Sequence, residues 1–521
     1  MNNSSKKKLL VFIVFFLFSV LFVKVLAPYG LATSPDSLSY MEVARSIQNG
    51  DGPVGLDREF KLTLKKETVP VTIWPPLYPT IIALLVPSSP DESNIRYVSA
   101  LSLSICLLII CLLLKRMTTW IVAIGLSLLY CMTVPILLDY SYVWSETVFI
   151  TLYTCLLWSI VNYLEHDRAD SKKKYLFLFL ISLFIVALFY TRYAGVLMSL
   201  LLFYVFINSK KPVKEIPSFI AAGLVISIPI IYLMYDNYLI SESVSGELRP
   251  SAVITPLENI NHLFSSFSVL FPATITGWLI CMAAALLLLY FIVSRGLLNN
   301  NQADENISPT FPVLQTSLVL FVFYLVAIIL LRLMKEFDTL GVRLISPAFP
   351  PFWILCCCAL FHYNTIKSKR LVTRLLALII MVSIVFQGGA LYRDIRSSLS
   401  VYESPKYPYR RNFSHANFTM MKVRGEAKQT LSAHCSNVGV VFANGFQGAL
   451  KIEFMTGMTS MRMPVKIDEK FLDDLNALSV KACFLFDSRS QFDSFSEAVS
   501  KQGGAYKVME VGAYIIIQYP L

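Results

Sequence analysis

Long apolar runs separated by short polar stretches fill the first three quarters of the chain. The first run follows Lys6, Lys7 and Lys8 and extends from Leu9 to Leu26. Further runs lie at 97–114, 118–138, 144–164, 175–190, 193–208, 216–235, 274–293, 312–331, 346–362 and 371–390. A helix rises about 1.5 Å per residue, so about 20 apolar residues cross the roughly 30 Å hydrocarbon core of a bilayer. The pattern predicts a polytopic α-helical membrane protein with about eleven transmembrane helices. The runs 175–190 and 193–208 are both short, and Arg192 between them marks a tight turn. The first run reads as an uncleaved span rather than a signal peptide, because no clean small-residue cleavage site follows it.

Two polar intervals are long, 27–96 and 236–273. In the first, Ser34-Pro35-Asp36 has the form of a helix start, with Ser34 as cap and Pro35 at the first helical position. Leu38, Met41, Val43, Ala44 and Ile47 then share one broad face, and Gly50 and Gly52 end the helix. The amphipathic pattern predicts a short helix lying on the membrane surface. After Arg393 the pattern changes. Strand-like runs ("VGVVFA", "ACFLF", "AYIIIQY") alternate with helix-like ones ("DEKFLDDLNAL", "SQFDSFSEAVSKQ"). The reading is a transmembrane domain over 1–394 and a small soluble α/β domain over 395–521.

Composition supports this division. Hydrophobic residues make up 55% of the chain and charged ones 15%, against roughly 25% charged in soluble domains. Too few charges remain to clothe a soluble multidomain protein, and a disordered or fibrous chain is equally excluded. The net charge of +11 comes from short basic clusters between apolar runs, among them Lys115/Arg116, Arg168 with Lys172–Lys174, Lys210/Lys211/Lys214 and Lys367/Lys369/Arg370/Arg374. That placement fits positive-inside topology rather than a nucleic-acid partner. It predicts a multi-pass cell-membrane protein with a cytoplasmic N-terminus and an extracytoplasmic C-terminal domain. Most cysteines lie in apolar runs and read as small buried hydrophobes. Cys435 and Cys483 stand in the polar C-terminal region, where a disulfide and two strand-core thiols fit equally.

A few polar residues stand where chemistry is expected. Asp36 begins the amphipathic helix, and taken alone it fits both a helix-dipole acid and a reactive carboxylate. Tyr40 in the same segment and Tyr78 in "WPPLYP" are candidate substrate contacts, Tyr78 also fitting the aromatic belt. Glu146, in "DYSYVWSETVF", sits at the mouth of a span, where a carboxylate is costly unless it faces a polar cavity. Arg192, in "YTRYAG", and Arg343, in "GVRLISPAFPPF", lie at span ends. A guanidinium there suits phosphate oxygens or snorkels into headgroups. Asp338, five residues before Arg343, is a candidate partner for it. The five histidines form no compact metal pair.

The order of these segments resembles the GT-C superfamily of membrane glycosyltransferases, which includes the protein O-mannosyltransferases and the aminoarabinose transferases of lipid A. "SPDSLSYMEVARSIQNGDG" follows the first span and "WPPLYPTIIALL" precedes the second. "SYVWSETVFITLY", "TRYAG" and "GVRLISPAFPPF" come later. The resemblance implies a polyprenyl-phosphate-linked sugar donor and an extracytoplasmic site, with an acid in the first outer loop, matched by Asp36, as general base. Ser37 follows Asp36 directly, so the doubled Asp-Glu pattern of the mannosyltransferases is absent. That counts against a mannosyl donor and a protein acceptor. Some relatives use a divalent metal, and no ligand set for one is evident in the sequence.

The chemistry implied needs a base for the acceptor hydroxyl and cations for the departing phosphate. Asp36 would take the proton, Arg343 and Arg192 would hold the phosphate, and Glu146 would orient acceptor or sugar. Single displacement inverts the anomeric carbon, as in one-step glycosidases. The acceptor would be a cell-envelope glycan, lipid or protein. Three other readings stand beside this one: a polymerase or ligase of lipid-linked glycans, a flippase or transporter of lipid-linked sugars, and a structural membrane protein whose C-terminal domain binds a partner.

Overall fold

A computed structural model describes residues 3–27, 30–31, 34–56, 68–86, 92–169, 171–246, 254–268, 310–335, 341–361, 378, 381–382, 384–392, 435, 438–443, 460–462, 469–477, 481–486, 489–501, 505–511 and 514–519. The chain forms two compact units. One comprises Met1–Ala32 and Thr72–Arg396, the other Thr33–Val71 and Ser397–Leu521.

The first unit is helical. Its elements are α1 (Asn3–Leu26), α3 (Leu77–Leu85), α4 (Glu92–Leu114), α5 (Trp120–Tyr130), α6 (Val134–Asp139), α7 (Glu146–Arg168), α8 (Lys173–Thr191), a 3-10 segment (Tyr193–Leu200), α9 (Leu201–Ile207), α10 (Pro212–Ser241), α11 (Pro256–Ser268), α12 (Thr310–Met334), α13 (Val342–Ile345) and α14 (Phe349–Phe361). Among the described residues, seven helices are long and apolar enough to cross a membrane. The expected run 274–293 lies outside the described residues, and 371–390 is described only in part.

Two expected spans take another form. The run 118–138 is broken into α5 and α6. Thr133 is extended, with ψ 145, and Pro135 opens α6. Proline lacks an N–H and its ring crowds the carbonyl four residues back, so Pro135 is tolerated in the first turn of a new helix and favours a break just before it. The run 193–208 is a 3-10 segment followed by the seven residues of α9, shorter than a span. Gly195 explains the tight return after α8: a Cβ there would meet the Leu188 carbonyl carbon and the Phe189 nitrogen, each at 2.4 Å.

Helix α7 is the hub, packed on α4, α8, α12 and α14 and buried on nearly every side. A helix of this length spans roughly 30 Å, about one hydrocarbon thickness. Buried ionic clusters sit at both of its ends. At its C-terminal end, Lys174 Nζ donates to Asp167 Oδ1 at 2.9 Å and to Glu215 Oε1 at 2.7 Å, tying α7 to α8 and α10. The Lys210 backbone N–H also donates to Asp167 Oδ2 at 2.6 Å. All three side chains are buried. Lys174→Met should therefore leave two carboxylates uncompensated and cost about 3–5 kcal/mol. A clearly lowered thermal midpoint in detergent is the expected reading; an unchanged midpoint would mean that the cluster neutralises itself by taking up a proton.

In the second unit, α2 (Pro35–Asn49) is followed by β1 (Val54–Leu56) and β2 (Thr68–Pro70), paired antiparallel with Gly55 opposite Val69. The C-terminal portion holds β3 (Val440–Ala443), β4 (Ser460–Arg462), α15 (Glu469–Ala477), β5 (Ala482–Phe486), α16 (Arg489–Lys501), β6 (Lys507–Val511) and β7 (Tyr514–Tyr519). The sheet order is β4-β3-β5-β7-β6. β3 runs parallel to β4 and β5, while β7 is antiparallel to β5 and β6. Successive strand residues point to opposite faces. Val440, Phe442, Phe484, Phe486 and Ile517 pack in one cluster with Leu472, Leu475, Phe495 and Val499 of the two helices. Val441, Cys483 and Ile516 form a second, smaller cluster with Cys435. Cys435 and Cys483 are joined by a disulfide, which decides between the two readings of these cysteines.

Candidate functional site

Glu146 begins α7, in the first turn, where the helix dipole favours an anion. Its carboxylate is fully buried. Arg192 Nη1 and Arg343 Nε both donate to the same oxygen, Glu146 Oε1. Three separate stretches of chain thus converge on one atom. Arg192 is the extended residue that ends α8, and Arg343 lies in α13. The two guanidinium side chains keep 22% and 18% of their surface in contact with solvent. They are buried enough to gain from a low dielectric and open enough to meet a ligand.

Each arginine is held by its surroundings. Arg343 lies over the Trp144 ring, 4.3 Å from its centroid, and Trp144 stacks on Tyr142 at 4.0 Å with planes 9° apart. Such a cation–π contact contributes about 0.5–2 kcal/mol and fixes the plane of the fork. The backbone of α13 is pinned from α12, where the Tyr324 hydroxyl donates to the Leu344 carbonyl at 3.0 Å. Ser346 Oγ donates to the Arg343 carbonyl at 2.7 Å. Beside Arg192, the Tyr193 hydroxyl donates to the Thr72 carbonyl and accepts from Asn237 Nδ2 at 2.9 Å. The "TRYAG" segment is therefore fastened to α10 and to the chain that leads into α3.

Below this cluster lies Asp139, the last residue of α6, with no exposed surface. Among the described residues, neither of its carboxyl oxygens has a hydrogen-bond partner. Ser346 faces it, but that hydroxyl hydrogen is committed to the Arg343 carbonyl. Burial pushes the Asp139 carboxyl well above the usual carboxylate range, and the negative Glu146 pushes it further.

Asp36 and Tyr40 lie on α2 in the second unit. Ser34 caps this helix. Its Oγ accepts from the Ser37 N–H at 3.4 Å, and Ser37 Oγ accepts from the Ser34 N–H at 2.9 Å, a reciprocal capping box. Gly50, with φ +89, closes the other end. Ser37 thus occupies the capping position that the doubled acid of the mannosyltransferases would fill. Asp36 is partly exposed and Tyr40, one turn on, is buried. Tyr78 is buried in the first turn of α3. Asp338 lies outside the described residues.

The structure therefore joins Glu146, Arg192 and Arg343, which the sequence offered as three separate candidates. It adds Asp139, Trp144 and Tyr142, all within the "DYSYVWSE" segment. Their signal was present: an acid closing the apolar run "VPILLD", seven residues before Glu146. Among the described residues no group of three or more His, Cys, Asp or Glu could hold a metal. Glu146, flanked by two guanidiniums, is a poor cation ligand.

No protein-family model and no curated protein matches the sequence. Solved structures do. ArnT from Cupriavidus metallidurans bound to undecaprenyl phosphate superposes with a TM-score of 0.57 at 12% identity, covering 97% of both chains. The apo state of the same protein gives 0.58 at 12% identity, covering 99% of this chain and 98% of that one. The archaeal oligosaccharyltransferase AglB from Archaeoglobus fulgidus, in complex with an inhibitory peptide and a dolichol-phosphate, gives 0.48 at 9% identity, covering 97% of this chain and 74% of its own. The likeness to ArnT shows a shared fold, carried in this chain by helices long and apolar enough to cross a membrane.

Proposed function

We propose that the protein transfers a sugar from a polyprenyl-phosphate-linked donor to an extracytoplasmic acceptor. The observation that carries this reading is the arginine pair clamped on a buried carboxylate at the end of the central span. Two fixed, partly exposed guanidiniums at the edge of an apolar bundle suit a phosphate whose prenyl chain stays in the bilayer. The similarity in fold to ArnT, solved with undecaprenyl phosphate bound, supports the same chemistry.

In this reading the acceptor hydroxyl attacks the anomeric carbon as its proton passes to the Asp36 carboxylate. The bond from that carbon to the phosphate oxygen breaks, and its electron pair leaves with the polyprenyl phosphate. Arg343 and Arg192 stabilise the charge that develops on that oxygen. No strong general acid is needed, because the leaving group departs as an already acidic phosphate. The anomeric configuration inverts. Glu146 acts by holding the two guanidiniums and orienting the sugar or acceptor, and Tyr40 and Tyr78 contribute substrate contacts. The acceptor is a cell-envelope glycan, lipid or protein. A cytoplasmic N-terminus and an extracytoplasmic C-terminal domain fit this site, and the Cys435–Cys483 disulfide supports an oxidising compartment for that domain.

The test is sugar release from radiolabelled polyprenyl-phosphate sugars by the purified protein, with membrane extract as acceptor source. Wild type should transfer from at least one donor. Arg343→Ala should weaken donor binding by about 2–5 kcal/mol if the phosphate is desolvated against it. No transfer from any donor by folded protein, or unchanged donor affinity in Arg343→Ala, would overturn the reading.

A further inference from the structure

The turn that carries Arg192 is tied into a closed ring of hydrogen bonds. The Tyr193 hydroxyl donates to the Thr72 carbonyl and accepts from Asn237 Nδ2 at 2.9 Å. Asn237 Nδ2 also donates to the Val244 carbonyl at 3.3 Å. Two residues on, the Gly246 carbonyl accepts from Thr72 Oγ1 at 2.7 Å, which closes the ring. Its members come from three stretches of chain: the segment that leads into α3, the turn after α8, and α10 with the loop that follows it. Thr72 and Gly246 stand 174 positions apart, so the ring joins the two long polar intervals of the sequence.

The backbone of the loop is shaped for this contact. α10 is capped by Glu242 in the left-handed conformation, φ 55, and among the described residues no other non-glycine residue has a positive φ. Such a residue is strained and persists only where its surroundings over-determine it, and strain of this kind clusters at functional sites. Gly246 is left-handed as well, φ +76, and it is buried. A Cβ there would sit 1.8 Å from the Thr72 carbonyl oxygen and 3.0 Å from the Tyr193 hydroxyl. Glycine is what lets the two backbones lie together.

We propose that Thr72, Tyr193, Asn237 and Gly246 are positioning residues, whose ring sets the turn so that Arg192 meets Glu146 and thereby sets the rate of transfer. This rests on the reading of Arg192 and Glu146 as parts of a sugar-transfer site. None of the four touches the reacting atoms. Arg192 is extended between the end of α8 and the 3-10 segment, so no helix fixes the direction of its long side chain. The tie at the next residue, Tyr193, does. A small rotation of the turn moves the guanidinium much further than it moves the Arg192 Cα. A misplacement of about 1 Å caused away from the chemistry can cost about a hundredfold in rate. Charge develops on the departing oxygen only as its bond breaks, so a displaced guanidinium loses more in the transition state than in the bound state. Loosening the ring should therefore lower kcat and leave the donor KM near its wild-type value.

The test pairs Thr72→Val with Thr72→Ser. Valine keeps the shape of threonine and lacks the hydroxyl that donates to Gly246, whereas serine keeps that hydroxyl. Thr72→Val should slow single-turnover transfer roughly tenfold to a hundredfold with the donor KM unchanged, and Thr72→Ser should transfer as wild type does. Hydrogen–deuterium exchange of the Arg192–Gly195 turn, closed by the Gly195 N–H on the Arg192 carbonyl at 2.8 Å, should rise in Thr72→Val and not in Thr72→Ser. Thr72→Val is then placed in an Arg192→Ala background, where it should slow transfer no further, because the ring acts through Arg192. A further loss of the same size there, or a wild-type kcat in Thr72→Val alone, overturns the proposal. If Thr72→Val fails to fold, Tyr193→Phe is measured in the same way, since phenylalanine keeps the ring packed against Phe189 at 5.8 Å and loses both hydrogen bonds. If wild type transfers no sugar from any donor, the transfer site itself falls and takes this role with it, and a rise in exchange would then mark the ring as a structural tie only.

Discussion

Asp36→Asn should reduce sugar transfer by about 10²–10⁴-fold, the usual worth of a positioned general base, while leaving the protein folded and the donor bound. The separation of these effects follows from how α2 is built. Its N-terminus is capped by Ser34 and Ser37, and Pro35 occupies the first helical position. Asp36 supplies no part of that capping box. Removing its charge should cost the helix its dipole contribution, about 0.3–1 kcal/mol. Asn keeps the shape of Asp and removes the ability to take a proton. Donor affinity should be unchanged, since the phosphate is assigned to Arg343 and Arg192. The measurement is a single-turnover transfer rate beside a donor titration and a thermal melt. A wild-type rate in Asp36→Asn would return Asp36 to the role of a helix-start acid. A lost rate accompanied by a large fall in melting temperature would mean the same, through a damaged α2.

Local features of this chain were legible in the sequence because local physics fixes them. The cap at Ser34, the proline at the helix start and the glycine stop at Gly50 are set by the chain's own backbone hydrogen bonds. Glu146 at the start of its helix and Arg192 in the turn after α8 follow from where the apolar runs end. Long-range pairing was not legible. Arg343 finds Glu146 across 197 positions of sequence, and no periodicity encodes that meeting. Sequence proximity offered Asp338 instead. Breaks within apolar runs were also obscured, because hydropathy does not register a Thr133–Pro135 interruption or the close approach at Gly195. Asp139 was visible as an acid in a short connection. Its burial without a hydrogen-bond donor among the described residues depends on tertiary packing, which only the folded chain reveals.

The same long-range meeting makes Glu146 the position where a single change should do the broadest damage. Glu146→Ala removes the counter-charge that the two neighbouring guanidiniums share. Breaking a buried ion pair by removing one partner costs about 3–5 kcal/mol. The lower end applies here, because both arginines retain some water. Thermal stability should fall by about 3 kcal/mol, and turnover should fall further than stability, since both phosphate-binding groups lose their positions together. Glu146→Gln separates the two losses. It preserves shape and one acceptor oxygen but gives the cluster an additional positive charge, so affinity for a phosphodiester should be maintained or raised while turnover still drops by at least about tenfold through misalignment. A double-mutant cycle with Arg343→Ala completes the argument. If the pair is coupled as the geometry indicates, removing both partners should cost about 1–3 kcal/mol less than the two single losses added. An additive cycle, or a Glu146→Gln protein with wild-type turnover, would show that Arg343 is held by Trp144 and the backbone of α13 without help from Glu146.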